Sequence, residues 1–324
     1  MDRRLVVVMA LALAAGASPA VAQNYPSRPI RAVSSIPLGS SGDVALRLVT
    51  AKMSQSMGQP VVVETSTAAG GTVAAKAMSK GTPDGYSFLY ASSGSMVGAQ
   101  FLNRDIGYDP VKDFTPLSAV VEAGSMLAVN AELPIRSLPD LIDYAKKNPG
   151  KLSYGSNGIG SNFHLQGEAF KMTAGIDLLH VPYSGGNMAI PINDLMTGRL
   201  DVHFPSYSLI GPHLSTGKVR LLAVMGARPV KRLPDLPLVK DVVPGFRPLP
   251  AWFGTFGPPG LLQPIAARLQ GEMAKAVNDA DVAAKLTDVG IAPWGSTPEQ
   301  FSAALRGDME LLGALVTKLG IKPQ

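Results

Sequence analysis

No cysteine occurs among the 324 residues, which excludes both a disulfide framework and Cys-His nucleophilic catalysis. An exported chain built this way must rest on a large apolar core, and a bacterial periplasm suits it better than a eukaryotic extracellular space. Long apolar runs are also missing, apart from Leu5 to Ala17 behind Arg3 and Arg4. That run is shorter than the roughly 20 residues that span a bilayer. It reads as the core of a secretory signal over residues 1–22, with the small residues of "AVA" placing cleavage after Ala22 and cleavage after Ala20 as the rival. Charge is sparse at 16% and aromatics at 6%. The formal charge of +5 is scattered, with no basic stripe interleaved with aromatics, so no nucleic-acid partner is expected and only a mild attraction for anions follows.

Motifs for turnover are equally scarce. There is no G-x-S-x-G, no G-x-G-x-x-G and no G-x-x-x-x-G-K-[ST]. Ser215 to Lys218 matches S-x-x-K without its companion motifs. The histidines His164, His180, His203 and His213 lack metal-ligand spacing, so neither metal nor cofactor is expected.

What the chain does have is length for two lobes and short β-branched runs alternating with amphipathic stretches, the pattern of βαβ units and a mainly parallel sheet. Strands are expected at 30–35, 61–64, 87–91, 151–155, 178–181, 200–204, 219–224 and in "AWFGTFG". Helices are expected near 43–57, 71–80, 138–147, 162–174, 187–196, 209–216, 264–278, 281–289 and 297–319. The proline-dense stretch after Val224 reads as a surface crossing segment. Two crossings, "AGSMLAVN" and the stretch ending at Pro250, divide the chain into residues 23–121 plus 250–324 as one lobe and 122–249 as the other.

One device occurs in each half. In "SSIPLGSSGD" and again in "SYGSNGIGSNFH" a strand ends, a Gly/Ser loop follows and a helix begins. N–H groups at a helix start have no internal partner and carry the positive end of the dipole, so such loops hold carboxylate or phosphate readily. Two of them suggest a ligand between lobes, although either alone is also common turn punctuation. "VETSTAAGG" is a further anion loop or equally a plain turn.

The blocks "YPSRPIRAV", "PDGYSFLYASSG", "YDPVKDFTPLS", "KLSYGSNGIGSNFHLQGEAF", "HVPYSGG", "LPDLPLVKDVVPGF" and "WFGTFGPPG" together resemble the Bug family, the TctC-like solute receptors of tripartite tricarboxylate transporters. The resemblance implies an α/β, type II periplasmic binding protein fold, two βα lobes with a ligand cleft between them. It further implies a monomeric receptor without catalysis that passes its ligand to membrane permease subunits. Carried over by position, the first ligand loop comprises Ile36, Leu38, Gly39, Ser40, Ser41 and Asp43, with Ser92 and Ser93 after the third strand. The second comprises Ser156, Asn157, Gly160, Ser161 and His164, with Tyr183, Ser184, Phe204 and Ser206 nearby. The hydroxyls of Ser40 and Ser161 are expected to donate to the anion. Departures matter for the ligand: Ser184 replaces a usual lysine, and Pro205-Ser206 stands where an Asp-Asn pair often receives an amine. The expected ligand is therefore a carboxylate without an ammonium group, a dicarboxylate with an apolar or aromatic body suggested by Leu38, Phe163, Phe204 and Trp252. The rival is an enzyme or a signalling sensor on the same two-lobed fold.

Overall fold

The computed structural model describes residues 25–159, 161–183 and 189–323; the expected signal segment, Gly160 and Ser184 lie outside them. In chain order the elements are β1 (Ile30–Ser34), α1 (Ser41–Met57), β2 (Val61–Thr65), α2 (Thr72–Met78), β3 (Ser87–Ser92), β4 (Thr115–Ala123) and β5 (Met126–Asn130). There follow α3 (Leu138–Lys147), β6 (Ser153–Ser156), α4 (Asn162–Ala174), β7 (Leu179–Pro182), α5 (Ala189–Met196), β8 (Val202–His203) and β9 (Val219–Val224). The chain closes with β10 (Trp252–Gly257), α6 (Gln263–Val277), α7 (Ala280–Asp288), β11 (Ile291–Pro293) and α8 (Pro298–Lys318).

Two sheets form, in the orders β11-β4-β10-β3-β1-β2 and β7-β6-β8-β5-β9. The first draws strands from both ends of the chain. Parallel pairing holds for β1 with β2 and β3 and for β6 with β7 and β8. The sheets are mixed nonetheless, because β10 runs against β3 and β4, and β5 runs against β8 and β9. Of the reversed strands, β10 and β5 enter from a crossing, where no covering helix dictates a right-handed parallel return, whereas the short edge strand β11, antiparallel to β4, follows α7. Only Gly124 and Ser125 separate β4 from β5, so one extended run serves both sheets. Glu122 pins this crossing to the returning one: its carboxylate accepts the Ala227 N–H at 2.8 Å and Arg228 Nε at 3.1 Å.

Local chemistry accounts for the helix ends. Ser137 Oγ accepts the Asp140 N–H at 3.2 Å, while Asp140 reaches back to the Arg136 N–H at 3.0 Å, one residue beyond a capping box. Thr297 and Gln300 complete the reciprocal box at the start of α8. The expected helix over 209–216 is instead a short turn, Tyr207–Ile210, and a 3₁₀ segment, Gly211–Thr216, since Pro212 cannot supply the N–H that would continue an α-helix. The proline-rich stretch after β9 is less superficial than its composition suggests, for Val239, Val243, Phe246 and Leu249 are buried in the largest core cluster. That cluster reaches across both sheets, with Phe170 and Ala169 of α4 joining Leu312, Leu315 and Val316 of α8.

Helix α4 approaches β6 closely enough that a Cβ on Gly167 would collide with the Tyr154 ring. Tyr154 is fully buried, stacks beside His180 and bonds Glu168 at 2.7 Å, so it has nowhere to retreat. Gly167→Ala is expected to cost about 1–3 kcal/mol through overpacking, outweighing the gain in helix propensity of roughly 1 kcal/mol. Chemical denaturation of the variant checks this.

Candidate functional site

The loops singled out in the sequence leave the C-terminal ends of β1, β3 and β6, where open α/β sheets present ligands. After β1 the chain turns on itself. Ser34 Oγ accepts the Ile36 N–H at 3.2 Å, and the Ser35 N–H donates to Tyr90 O at 2.9 Å. Ser40 is the N-cap of α1: its Oγ donates to Pro37 O at 2.7 Å and accepts the Asp43 N–H at 3.4 Å. Its one proton is thus already placed, contrary to the expectation that it donates to a ligand. Asp43 is buried, and its Oδ2 accepts from the Gly39 N–H and Arg47 Nε, both at 3.0 Å. Burial opposes its charge, but the bonds to Arg47 and Gly39 win and hold the carboxyl below its ordinary range. The positive end of α1 is therefore met by a carboxylate of the chain itself. Ile36 is buried and Leu38 projects into solvent at 68% exposure, with Gly39 exposed and Ser41 half-buried beside them.

After β3, Ser92 Oγ accepts the Ser95 N–H at 3.2 Å, and Ser93 Oγ donates to Pro250 O at 2.9 Å, tying this loop to a crossing. A single π turn, Gly94–Gly98, follows, a geometry that recurs at functional sites.

The second Gly/Ser loop differs from the first in charge. Ser161 caps α4 through its Oγ, which accepts the His164 N–H at 3.3 Å, but no acidic residue stands in the first turn. Among the described residues the Asn162 and Phe163 N–H groups have no partner, as is also true of Ser41 and Gly42 in α1. The missing acid is what leaves this helix start the more open of the two to an anion. A cavity of about 110 Å³ joins it to the β3 loop, lined by Ser93, Gly94, Ser161, Asn162 and Leu165 together with Pro250 of the crossing and Leu312 of α8. A groove of about 530 Å³ lies elsewhere, beside β1, β2 and α2, but its charges are matched within the chain, Arg28 with Asp84 at 2.9 Å and Arg31 with Glu64 at 2.6 Å.

The structure thus brings Ser93 and Ser161 to one cavity and leaves Ile36, Leu38, Ser40 and Asp43 outside its lining. Asn157 is exposed, while Ser156 is fully buried below it. Tyr183 is engaged elsewhere, its hydroxyl donating to Asp194 at 2.9 Å. Ser206 Oγ lies 3.0 Å from Ser208 Oγ and opens the turn over Tyr207–Ile210. Phe204 is fully buried between Tyr154 and Phe170, and Trp252 is buried with its indole N–H on Asp308 at 2.8 Å. Both are core residues, which removes them as the apolar wall of a ligand site.

Sequence reasoning passed over Tyr90 and Ser35 here. Among the described residues Tyr90 OH, Ser35 Oγ, His203 Nε2 and Asp43 Oδ1 are buried without a partner. No spacing marks Tyr90 or His203, since each reads as an ordinary strand residue. His203 Nδ1 lies 3.1 Å from the Gly155 carbonyl, which only accepts, so the proton is on Nδ1 and Nε2 presents a lone pair.

Two predictions follow from these partners. Ser40→Ala and Ser161→Ala should each destabilise folding by about 1 kcal/mol through loss of a cap, measured by denaturant unfolding without ligand. Burial pushes both His180 and His203 down to about 4, with His164 adding to the shift of His180. The unfolded chain takes up these protons near pH 6.5 and the folded chain only near 4. Stability should therefore fall as pH drops through that window, by roughly 1.4 kcal/mol per pH unit for each fully neutral histidine. Unfolding at a series of pH values reads the slope, and His203→Gln should flatten it.

Comparison with known proteins accords with this architecture. The "UPF0065 protein in tcbD-tcbE intergenic region" of Pseudomonas sp. (strain P51) is 33% identical over 319 residues, covering 98% of this chain and 94% of that one. The structure of Rpa4515 from R. palustris with adipate superposes with a TM-score of 0.72 at 31% identity, covering 93% of this chain and all of the other. That of MatC from Rhodopseudomonas palustris with bound malate gives 0.68 at 28% identity, covering 90% and 100%. The family described as "Tripartite tricarboxylate transporter family receptor" matches residues 45–321. With two mixed sheets, Gly/Ser loops at their strand ends and this match over most of its length, the chain belongs to the TctC family of solute-binding receptors.

Proposed function

We propose that the protein captures a small dicarboxylate without an ammonium group in the periplasm and delivers it, unaltered, to the permease of a tripartite transporter. The observation that carries the ligand class is the start of α4, where among the described residues a capped helix offers unpaired N–H groups and its first turn holds no acid. Ser93 and Ser161 line the same small cavity from the two sheets, the Ser93 proton being held by Pro250 O. Rpa4515 with adipate and MatC with malate support the dicarboxylate reading. No acid stands at Pro205-Ser206, and Asp43 is matched by Arg47, which supports a ligand without an amine.

In this reading residues 23–121 with 250–324 form one lobe and 122–249 the other, with residues 1–22 removed on export. The lobes close about the crossings at Gly124 and after Val224, because only the closed form surrounds the anion with donors from both, and the ligand shifts the population by that difference in affinity. Ligand held at 100 times its dissociation constant stabilises the native state by about 2.7 kcal/mol. Thermal shift with adipate and malate against aspartate and glutamate tests the class. The dicarboxylates should raise the melting temperature; stabilisation by the amino acids alone overturns it.

A further inference from the structure

Beneath the open end of α4, one side chain touches both ends of the loop that leads to it. His180, on the edge strand β7, places Nε2 2.6 Å from Ser156 Oγ at the loop's start. Its ring also packs, tilted by 36°, against His164 at the loop's finish, with centroids 4.4 Å apart, and stacks on Tyr154 of β6 at 4.9 Å. Ser156 is fully buried, and its Oγ accepts the Gly158 N–H at 3.1 Å with Gly158 O at 3.2 Å. A hydroxyl has one proton. We assign it to the closer partner, His180 Nε2 at 2.6 Å, over Gly158 O at 3.2 Å, which leaves the oxygen lone pairs for the Gly158 N–H and makes the imidazole neutral with its proton on Nδ1.

We propose that His180 is the positioning residue of this loop, holding Ser156 by hydrogen bond and His164 by ring contact so that Ser161 and the first N–H groups of α4 stand where a ligand carboxylate meets them. The ligand half of this statement rests on the receptor reading above; the loop geometry does not. His180 faces His164, Glu168 and Lys171 from α4, and Tyr154 and Ser156 from β6. Glu168 is already engaged by Tyr154 OH at 2.7 Å and Lys171 at 3.0 Å, and Lys171 also lies 3.6 Å from Asp177, so no unmatched acid is left to draw a proton onto the imidazole. The neutral acceptor form therefore persists through the pH range in which an exposed histidine titrates.

The test uses the mature chain and adipate. Imidazole nitrogen resonances at pH 7 should show His180 Nε2 unprotonated, and Ser156→Ala should shift that signal. His180→Phe, which keeps a ring and loses the acceptor, should raise amide exchange at Gly158 and His164 and weaken adipate by at least about tenfold, the scale of one charge-assisted hydrogen bond. His180→Gln, which restores an acceptor, should recover part of the Gly158 protection. Adding Ser156→Ala to His180→Phe should cost less than the two changes summed. A protonated Nε2 at pH 7 in the wild type, or unchanged exchange and affinity in His180→Phe, overturns the proposal. Failure of the wild type to bind any dicarboxylate sinks the receptor reading instead, while the exchange and resonance measurements still decide the role of His180.

Discussion

The N–H groups of a helix's first turn must be met by something, and the chain meets them in opposite ways at its two Gly/Ser loops. In α1 the positive end is met from within, by the Ser40 cap on the Asp43 N–H and by the charge of the Asp43 carboxylate, itself balanced by Arg47. In α4 the cap is present and the acid is not. Similar loop sequences therefore give one end that is electrostatically closed and one that is open. The neighbouring side chains follow from this: Ser156, His180 and His164 are committed to shaping the open end, whereas Arg47 and Asp43 seal the other.

The sheets serve that asymmetry by bringing their strand ends together. A single extended run through β4 and β5 links them, and Glu122 ties it to the chain returning after β9. Ser93 adds a tie from the β3 loop to Pro250. Several short polar bonds, none of them deep in either core, thus define where the two halves meet.

Much of this was legible in the sequence because the signals were local. Ser161 to Ala174 carries cap, amphipathic body and Gly175 stop in one stretch, and the helix was read to the residue. β4 and β5 escape a strand reading since "TPLSAVVEA" and "MLAVN" are buried over most of their length, and a strand buried on both faces loses the alternation that announces it. The site was legible as loops but not as contacts. That Ser40 gives its proton to Pro37, that Tyr183 bonds Asp194, or that Phe204 turns into the core depends on which neighbours tertiary packing supplies. His180 shows the limit most clearly, because its partners Ser156 and His164 come from a neighbouring strand and a helix, and no spacing in the sequence records that.

Helix α8 begins beside the first sheet and ends with Leu312, Leu315 and Val316 packed in the cluster that holds Phe170 of α4. Its exposed tail near Lys318 is thus carried by contacts with both halves at once. A dye placed there would respond to any change in their relative orientation while standing clear of the Gly/Ser loops. Since the chain has no cysteine of its own, one introduced thiol would be the sole attachment point, so the native scaffold is suited to conversion into an optical reporter without first removing competing thiols.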